Sequence, residues 1–519
     1  MKRDIINDIF ERILDRKHTN TRIINHERRF KMQKKRLVRI IQNDLINFKN
    51  VEFGQIKYMS YSSVQKDAKI SEQDIVGIYG QNGSGKTAMV EALDIIKQIL
   101  CGNEIPYETY EGIISESNET VVKTTFFIEL DEKQFKVQYD VALKVSKEEH
   151  KICISSEKLT FWDKGVKWKN EHELSFANPY YDGDAILKNI EPQVESKQIE
   201  FFNNAGVLKN LAVYCAQKNI SIFFNDLLAK NLNQSDNKQE EDKDFVDVIR
   251  NLIYFGCSCF QVVKVNQLGA INSNVIPLNV HSEFGNMIAQ GCLPLVMNGR
   301  GEIPEAIYEQ LQLVFQSINI AMRSIIPNLK IELVTGNEEI KPDGNKYVQV
   351  EVYSNRDGKR FLTKYESEGI KRIISLLQYL TALYNSPEIC LVVDELDSGI
   401  YEYLLGELIG ILKEDAKGQL IFTSHNLRIL EKLPNKNIVC STINPKNRYI
   451  RLTGVEKNHN RRDFYIRTIT LGGQKEELYD ETELQAMGSA LRKAGRKENS
   501  NVQIELSDVF SKLLKSTRQ

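Results

Sequence analysis

Apolar residues recur on one side of the first segment, as Ile5/Ile6, Ile9/Phe10 and Ile13/Leu14, with charges between them. That spacing follows a helical repeat and predicts a helical arm over residues 1–35, either packed on its own domain or docking onto a partner or second copy. From Arg36 the pattern changes. RLVRIIQNDLINFKNVEFGQIKYMSYSS is rich in β-branched and aromatic residues and reads as two strands joined by a turn near Lys49–Asn50. The short apolar run Ile75–Tyr79 predicts a buried strand, leading through a glycine-rich turn to a helix from about Lys86 to Leu100. Thr124 to Trp162 alternates strand-like and turn-like stretches and predicts an antiparallel meander.

Helical stretches then dominate, interrupted by the almost wholly polar Asn231–Asp244, which reads as a solvated loop in a mainly helical insertion. Pro304 opens a clearer helix, with Ile307, Leu311, Val314/Phe315, Ile318, Met322 and Ile325 at helical spacing and Pro327 ending it. Two strand-like runs follow, Lys330–Val334 and Tyr347–Tyr353, then a helical run, Arg372–Leu383. No heptad pattern and no internal repeat is sustained. The expected organisation is a helical arm (1–35), a first α/β lobe (36–165), a mainly helical insertion (166–327), a second lobe (328–455) and an α-rich tail (456–519).

With 41% hydrophobic and 27% charged residues in 519, the chain reads as an ordinary globular protein of two or more packed regions. No window approaches the roughly 20 apolar residues that cross a bilayer, and the start lacks a secretory pattern, so a cytoplasmic protein is expected. Eight cysteines are scattered; only Cys257 and Cys259 are close, without a second pair at zinc-site spacing, so reduced and mostly buried thiols are expected. A net charge of −1 gives no global pull toward nucleic acid, but residues 1–40 hold thirteen Lys/Arg against five Asp/Glu, so any basic surface is regional.

The chemistry begins at Gly80-Gln81-Asn82-Gly83-Ser84-Gly85-Lys86-Thr87, followed by Ala88, which fits G-x-x-x-x-G-K-[ST]. Glycines permit a tight turn whose backbone N–H groups aim at phosphate oxygens. Lys86 can reach the β/γ-phosphates and the Thr87 hydroxyl can ligate Mg²⁺, with the following helix N-terminus adding a favourable dipole. Downstream, Ile389-Cys-Leu-Val-Val-Asp394-Glu395 is an apolar strand ending in two carboxylates. Asp394 can hold the Mg²⁺ shell, and Glu395 can orient and deprotonate an attacking water. Taken alone, the run is equally a buried strand with a charged end. Leu420-Ile-Phe-Thr-Ser-His425 gives another strand with a polar end; His425 either touches the γ-phosphate and water or is an ordinary loop histidine. Ser367 and Gly369, at the start of the helical run, form a second anion site that makes sense when it faces the nucleotide of another copy. N-K-x-D is absent, since Asn237-Lys-Gln-Glu240 ends in the wrong residue, so ATP is expected rather than GTP.

This ordered set resembles the ATP-binding-cassette (ABC) type of ATPase, in the branch of chromosome-maintenance (SMC) and DNA-repair (RecF) relatives. The resemblance covers roughly residues 36–165 and 328–455. It implies an α/β P-loop head with a mixed β-sheet, flanking helices and an antiparallel meander, interrupted by a helical insertion between Walker A (Gly80–Thr87) and a degenerate signature (Ser367–Gly369). Walker B is Leu391–Glu395, the D-loop is Leu396-Asp397-Ser398, and His425 is the switch histidine. It also implies ATP and Mg²⁺ as cofactors and a homodimer, or higher homo-oligomer, with each nucleotide between Gly80–Thr87 of one copy and Ser367/Gly369 of the other. A Q-loop glutamine is expected near the strands after the first helix, with Gln98, Gln134 and Gln138 as candidates, and Phe48 and Phe53 are candidates for adenine stacking.

The signature departs from the transporter pattern, and the insertion is too large for a transporter subunit. The segments N-F-K-N-V near Asn47, S-S-E-K-L at Glu157, I-I-P before residue 330 and D-E-L-D-S-G-I at Asp394 resemble the OLD-like (overcoming lysogenization defect) bacterial AAA-family ATPases. That resemblance implies a role in anti-phage defence beside an effector, a nuclease or other toxin, encoded by an adjacent gene. Some members carry their own nuclease; the residues after His425 show no spaced acids able to hold two metals, so none is expected here. Asn458-His459-Asn460 lacks the second histidine of an HNH nuclease. Two classes compete: an ATPase that senses or controls an effector, and a DNA-repair ATPase acting directly on DNA.

Overall fold

A computed structural model describes residues 22–25, 36–59, 74–115, 118–131, 133–163, 171–177, 192–193, 205–225, 227–228, 240–265, 271, 275–284, 287–297, 301–341, 344, 346–454, 460–480 and 484–495. Six strands from distant parts of the chain meet in one central sheet. Its order is β10 (Phe260–Val263), β17 (Cys390–Val393), β18 (Gln419–Thr423), β4 (Ile75–Tyr79), β19 (Ile438–Ser441) and β20 (Tyr449–Ile450). The first five run parallel and β20 is antiparallel to β19. Every residue of β4, β17, β18 and β19 is buried. Such continuous apolar strands are what a parallel sheet covered on both faces requires.

One face of this sheet packs on helix α1 (Lys86–Leu100), whose Leu93, Ile95, Ile96 and Ile99 are fully buried. Beyond α1 lies a seven-stranded antiparallel sheet. Its order is β3 (Val51–Lys57), β2 (Arg36–Phe48), β5 (Thr120–Leu130), β6 (Lys133–Ser146), β7 (Lys151–Asp163), β8 (Glu171–Ala177) and β9 (Pro192–Gln193). Phe126, Val137 and Tyr139 from this sheet share the core of α1, and Phe245, Ile249 and Leu252 of a further helix (Glu240–Tyr254) join them. The β2–β3 turn falls at Lys49–Asn50 and the meander occupies 120–163, as the alternation predicts.

The opposite face packs on α5 (Glu368–Asn385), α6 (Glu402–Asp415) and α7 (Leu427–Lys432). Leu376 and Leu380 of α5, Leu405 and Ile409 of α6 and Ile429 of α7 meet Leu391, Val393, Leu420 and Phe422 of the strands. A third core lies under α4 (Glu305–Ile325), the helix opened by Pro304. It covers a sheet of β13 (Gly301–Pro304), β15 (Lys346–Arg356) and β14 (Leu329–Ile340), with β16 (Lys359–Leu362) paired to β15.

Residues 166–327, expected to be mainly helical, combine helices with strands. The described part holds the helices Ala205–Lys218, Glu240–Tyr254 and α4, together with β8, β9, β10, β13 and a hairpin of β11 (Val275–Phe284) and β12 (Met287–Val296). β10 even supplies the edge of the central sheet. A four-residue apolar run such as FQVV has no periodicity of its own, and the partner that makes it a strand lies far away at Cys390–Val393. Within the polar segment Asn231–Asp244, residues 240–244 begin a helix; the remainder lies outside the described residues. Of the expected helical arm, only 22–25 is described, and it is a strand, β1 (Arg22–Asn25), paired with Met287–Gln290. Its Ile23-Ile24 pair suits either conformation, and a distant edge decided. The tail helix α8 (Arg461–Leu471) seats Tyr465 against Tyr79 with ring centroids 6.4 Å apart, so it completes the central core. His459 lies outside the described residues. Residues 479–519 form a separate unit, in which Leu484–Gly495 is helical. Cys101, Cys153, Cys215, Cys259, Cys390 and Cys440 are buried.

Candidate nucleotide site

At the C-terminal end of β4 the chain turns through Gly80–Gly85 before α1 begins at Lys86. Gly80, Gly83 and Gly85 have φ of 153°, 78° and 88°, a region that side chains other than glycine rarely adopt. Gly80 is doubly constrained, since a Cβ there would lie 2.0 Å from Ser441 Oγ. Ser84 Oγ donates to the Gln81 carbonyl at 2.7 Å and lies 2.5 Å from Ser441 Oγ, which in turn donates to the Tyr79 carbonyl at 3.1 Å. Asn82 and Gly83 are exposed at the tip, while Ala88 is buried in the α1 core. Lys86 Nζ donates to the carbonyls of Gly80 at 2.9 Å and Gln81 at 2.8 Å, so the ammonium lies along the loop. Burial pushes its pKa below the ordinary lysine range, against the opposing charges of Asp394, Glu395 and Asp397.

Residues that spacing alone does not reveal support this turn. Asn50 of the β2–β3 turn donates to the Gly83 carbonyl, and Arg448 donates to the Asn50 carbonyl and, at 2.6 Å, to that of Thr442. Tyr449 OH donates to the Gly85 carbonyl at 2.6 Å. Gly54 leaves room for that ring, since a Cβ there would sit 2.6 Å from it. All of these contacts depend on the packing of β3 and β20 beside the loop, for which the sequence offers no local signal.

Asp394 and Glu395 follow β17 at the same sheet edge. Asp394 Oδ1 accepts from Thr87 Oγ1 at 3.5 Å and from Thr423 Oγ1 at 2.5 Å. Its other oxygen, Oδ2, is buried and has no hydrogen-bond partner. Glu395 N donates to Thr423 Oγ1 at 2.7 Å, and Glu395 holds φ = 47°, a left-handed conformation costly for a glutamate. Thr423 therefore braces both acids from the neighbouring strand, a residue that sequence reasoning passed over. His425 N donates to Asp397 Oδ2 at 3.1 Å, tying the loop after β18 to the turn after β17. Solvent reaches His425, yet protein packed around the ring and the Lys86 charge lower its pKa below the ordinary range, against Asp397, Glu395 and Asp394. Lys86, Thr87, Asp394, Glu395, Asp397 and His425 thus converge on one edge of the sheet.

Ser367 and Gly369 open α5. Ser367 is its N-cap, with Oγ accepting from Ile370 N at 3.4 Å, and both Ser367 and the adjacent Glu368 are exposed. A Cβ on Gly369 would lie 2.3 Å from the Gly399 carbonyl, so the start of α5 rests directly on the turn after Asp397. Exposed Tyr365 and Tyr401 flank this contact.

The glutamine and aromatic candidates fare differently. Gln98 accepts from Asn103 in the α1 core, Gln134 donates to Glu129, and Gln138 donates to Asp140 within the meander. None follows a strand at the site edge, where the neighbour of β17 is β10. The next glutamine after β10, Gln267, lies outside the described residues. Phe48 is fully buried in the core and cannot stack on a base, whereas Phe53 is 42% exposed.

The described residues form an α/β fold in which a mainly parallel sheet carries the 80–85 turn between β4 and α1. A family model described as "AAA domain, putative AbiEii toxin, Type IV TA system" matches residues 285–431. That span takes in Ser367, Gly369, Asp394, Glu395 and His425 and stops short of the 80–87 loop. Among solved structures the chain is similar to an Smc head bound to the C-winged helix domain of ScpA, at 12% identity and TM-score 0.37 over 80% of this chain and 97% of that one. It is likewise similar to an Smc head with an extended coiled coil bound to the C-terminal domain of ScpA, derived from Pyrococcus furiosus, at 13% and 0.37 over 80% and 96%. The SMC head domain of Thermotoga maritima gives 13% and 0.34 over 80% and 99%. No curated protein matches the chain. Among the described residues no helix is long and apolar enough to cross a membrane.

Proposed function

We propose that the chain binds ATP with Mg²⁺ and hydrolyses it. The observation that carries this reading is the meeting of Thr87 Oγ1 and Asp394 Oδ1 at 3.5 Å, with Asp394 Oδ2 buried and partnerless beside them. A hydroxyl and a carboxylate oxygen are hard donors, and Mg²⁺ is commonly held by one or two such groups plus phosphate oxygens and water. Magnesium would neutralise phosphate charge there. The backbone N–H groups of Gly80–Lys86 and the start of α1 cradle the phosphates, and Lys86 leaves the loop carbonyls for the β/γ-phosphates. Glu395 orients the attacking water and takes its proton, and His425 contacts the γ-phosphate end.

In this reading, Ser367 and Gly369 meet the nucleotide of a second copy, so ATP joins two heads and hydrolysis releases them, with Asp397 at the joint. The dimer senses or controls an effector protein in anti-phage defence. The toxin–antitoxin description of the matching family model and the near-zero net charge support this over direct action on DNA. Glu395→Gln is the test. It is expected to bind ATP, to form a stable dimer by light scattering, and to hydrolyse at least about a hundredfold more slowly, the scale of lost general-base catalysis. Normal turnover in that variant sinks the assignment of Glu395. DNA-stimulated hydrolysis that falls steeply with salt, without a complex with an adjacent-gene product, turns the reading toward DNA repair.

A further inference from the structure

One cation of α5 is not explained by any of these roles. Arg372 lies one turn beyond Ser367, is 1% exposed, and is the largest fully buried side chain of the described residues. Its Nε, Nη1 and Nη2 all lack a hydrogen-bond partner. Three residues along the same helix, Ser375 is fully buried with an equally partnerless Oγ. An arginine ordinarily remains charged in proteins, and its planar fork is built to bind carboxylates two-handed. A buried guanidinium with no bonded donor is among the costliest arrangements a core can hold.

The charges around it identify what it serves. Burial pushes the Arg372 pKa down to about 10, and the groups that oppose this are Asp394, Tyr379 and Glu395, in that order. Two of the three are the carboxylates at the end of β17. Asp394 Oδ2 and the Arg372 nitrogens are not hydrogen-bonded to one another, so Arg372 acts on the pair through its charge and leaves Oδ2 to the metal site proposed above. The helix that carries Arg372 also carries Ser367 and Gly369 at its exposed start, and Gly369 rests on the turn that follows the carboxylates. A small movement of α5 therefore changes where the Arg372 charge stands relative to Asp394 and Glu395.

We propose that Arg372 is a positioning residue for hydrolysis: its buried positive charge, carried on α5, holds the Asp394–Glu395 pair in its working arrangement and makes that arrangement depend on the placement of α5. The inference rests on the ATPase reading above. It assigns Arg372 no contact with nucleotide. Its task is to compensate two adjacent carboxylates from behind, so its loss acts on turnover and not on binding.

Arg372→Met, which keeps the bulk and removes the charge, and Arg372→Lys, which keeps a charge, separate this role from packing. Arg372→Met is expected to bind ATP within threefold of the wild-type Kd, to lose at least tenfold in kcat, and to melt no lower than wild type, because relief from burying a guanidinium with no hydrogen-bonded donor offsets the lost compensation of Asp394 and Glu395. Arg372→Lys is expected to recover most of the lost kcat. The proposal is overturned by unchanged kcat in Arg372→Met, by loss of ATP binding in step with kcat, by a lowered melting temperature, or by Arg372→Lys being as impaired as Arg372→Met. If the wild-type protein itself fails to hydrolyse ATP with Mg²⁺, the functional reading fails instead; wild-type turnover with an unimpaired Arg372→Met removes this inference alone.

Discussion

Thr423 shows how much of the site rests on single contacts. One hydroxyl donates to Asp394 Oδ1 at 2.5 Å and accepts from Glu395 N at 2.7 Å, while Glu395 sits at φ = 47°. The conformation is costly by itself and persists because neighbouring groups fix it. Thr423→Val keeps the shape and removes both bonds. It is expected to cost about 1–3 kcal/mol of stability through the unsatisfied buried groups, read from denaturant midpoints, and to slow hydrolysis more than it weakens ATP binding. Lys86 is a different case, because its loop bonds to Gly80 and Gln81 are replaceable by phosphate contacts. Lys86→Ala should abolish measurable ATP binding by calorimetry while leaving the fold intact by circular dichroism.

At the scale of elements, the start of α5 and the turn after β17 approach closer than side chains allow. Gly369 has no strained φ of its own; it is required because the Gly399 carbonyl would lie 2.3 Å from a Cβ. Backbone cannot yield as a flexible side chain does, so Gly369→Ala should displace α5 from the turn, at about 1–3 kcal/mol by analogy with overpacked cores. Under the proposed cycle, this variant binds ATP as a monomer but fails to form the ATP-dependent dimer in Glu395→Gln background; a normal dimer by light scattering contradicts it. The N-cap itself is weaker. Ser367 Oγ accepts at 3.4 Å, so Ser367→Ala is expected to cost only about 0.5–1 kcal/mol in stability, and any larger effect on hydrolysis reflects the exposed hydroxyl and not the helix.

Across the molecule, β2 and the central sheet are joined by a buried arginine that, unlike Arg372, is fully engaged. Arg39 pairs with Asp74 at 3.4 Å and donates to the carbonyls of Pro387 at 2.5 Å and Lys417 at 2.9 Å. Gln419 reinforces the same seam through both the N–H and the carbonyl of Ile40, at 3.0 and 2.7 Å. Arg39→Met leaves Asp74 buried without its counter-charge and frees two carbonyls, so it is expected to destabilise by roughly 3–5 kcal/mol in chemical denaturation. Contrasting melts of Arg39→Met and Arg372→Met, the first lower and the second not, measure the difference between a buried guanidinium that is hydrogen-bonded and one that is not.

By itself the sequence determined the local units of this protein. Ile75–Tyr79, the glycine turn and Lys86–Leu100 are strand, loop and helix because short-range apolar spacing and glycine freedom leave no other choice. The meander and the helix after Pro304 were legible for the same reason, as were the lysine, the paired acids and the histidine. Only the tertiary structure decided what has no local signature. FQVV became the strand beside Cys390–Val393, Ile23-Ile24 became part of an edge strand, and Phe48 turned inward while Phe53 stayed exposed. The supporting residues Asn50, Ser441, Arg448, Tyr449 and Thr423 became neighbours of the site only once β3, β18, β19 and β20 had taken their places. Hydrogen bonds and burial between distant segments are set by sheet order and register, and those are properties of the assembled chain rather than of any stretch within it.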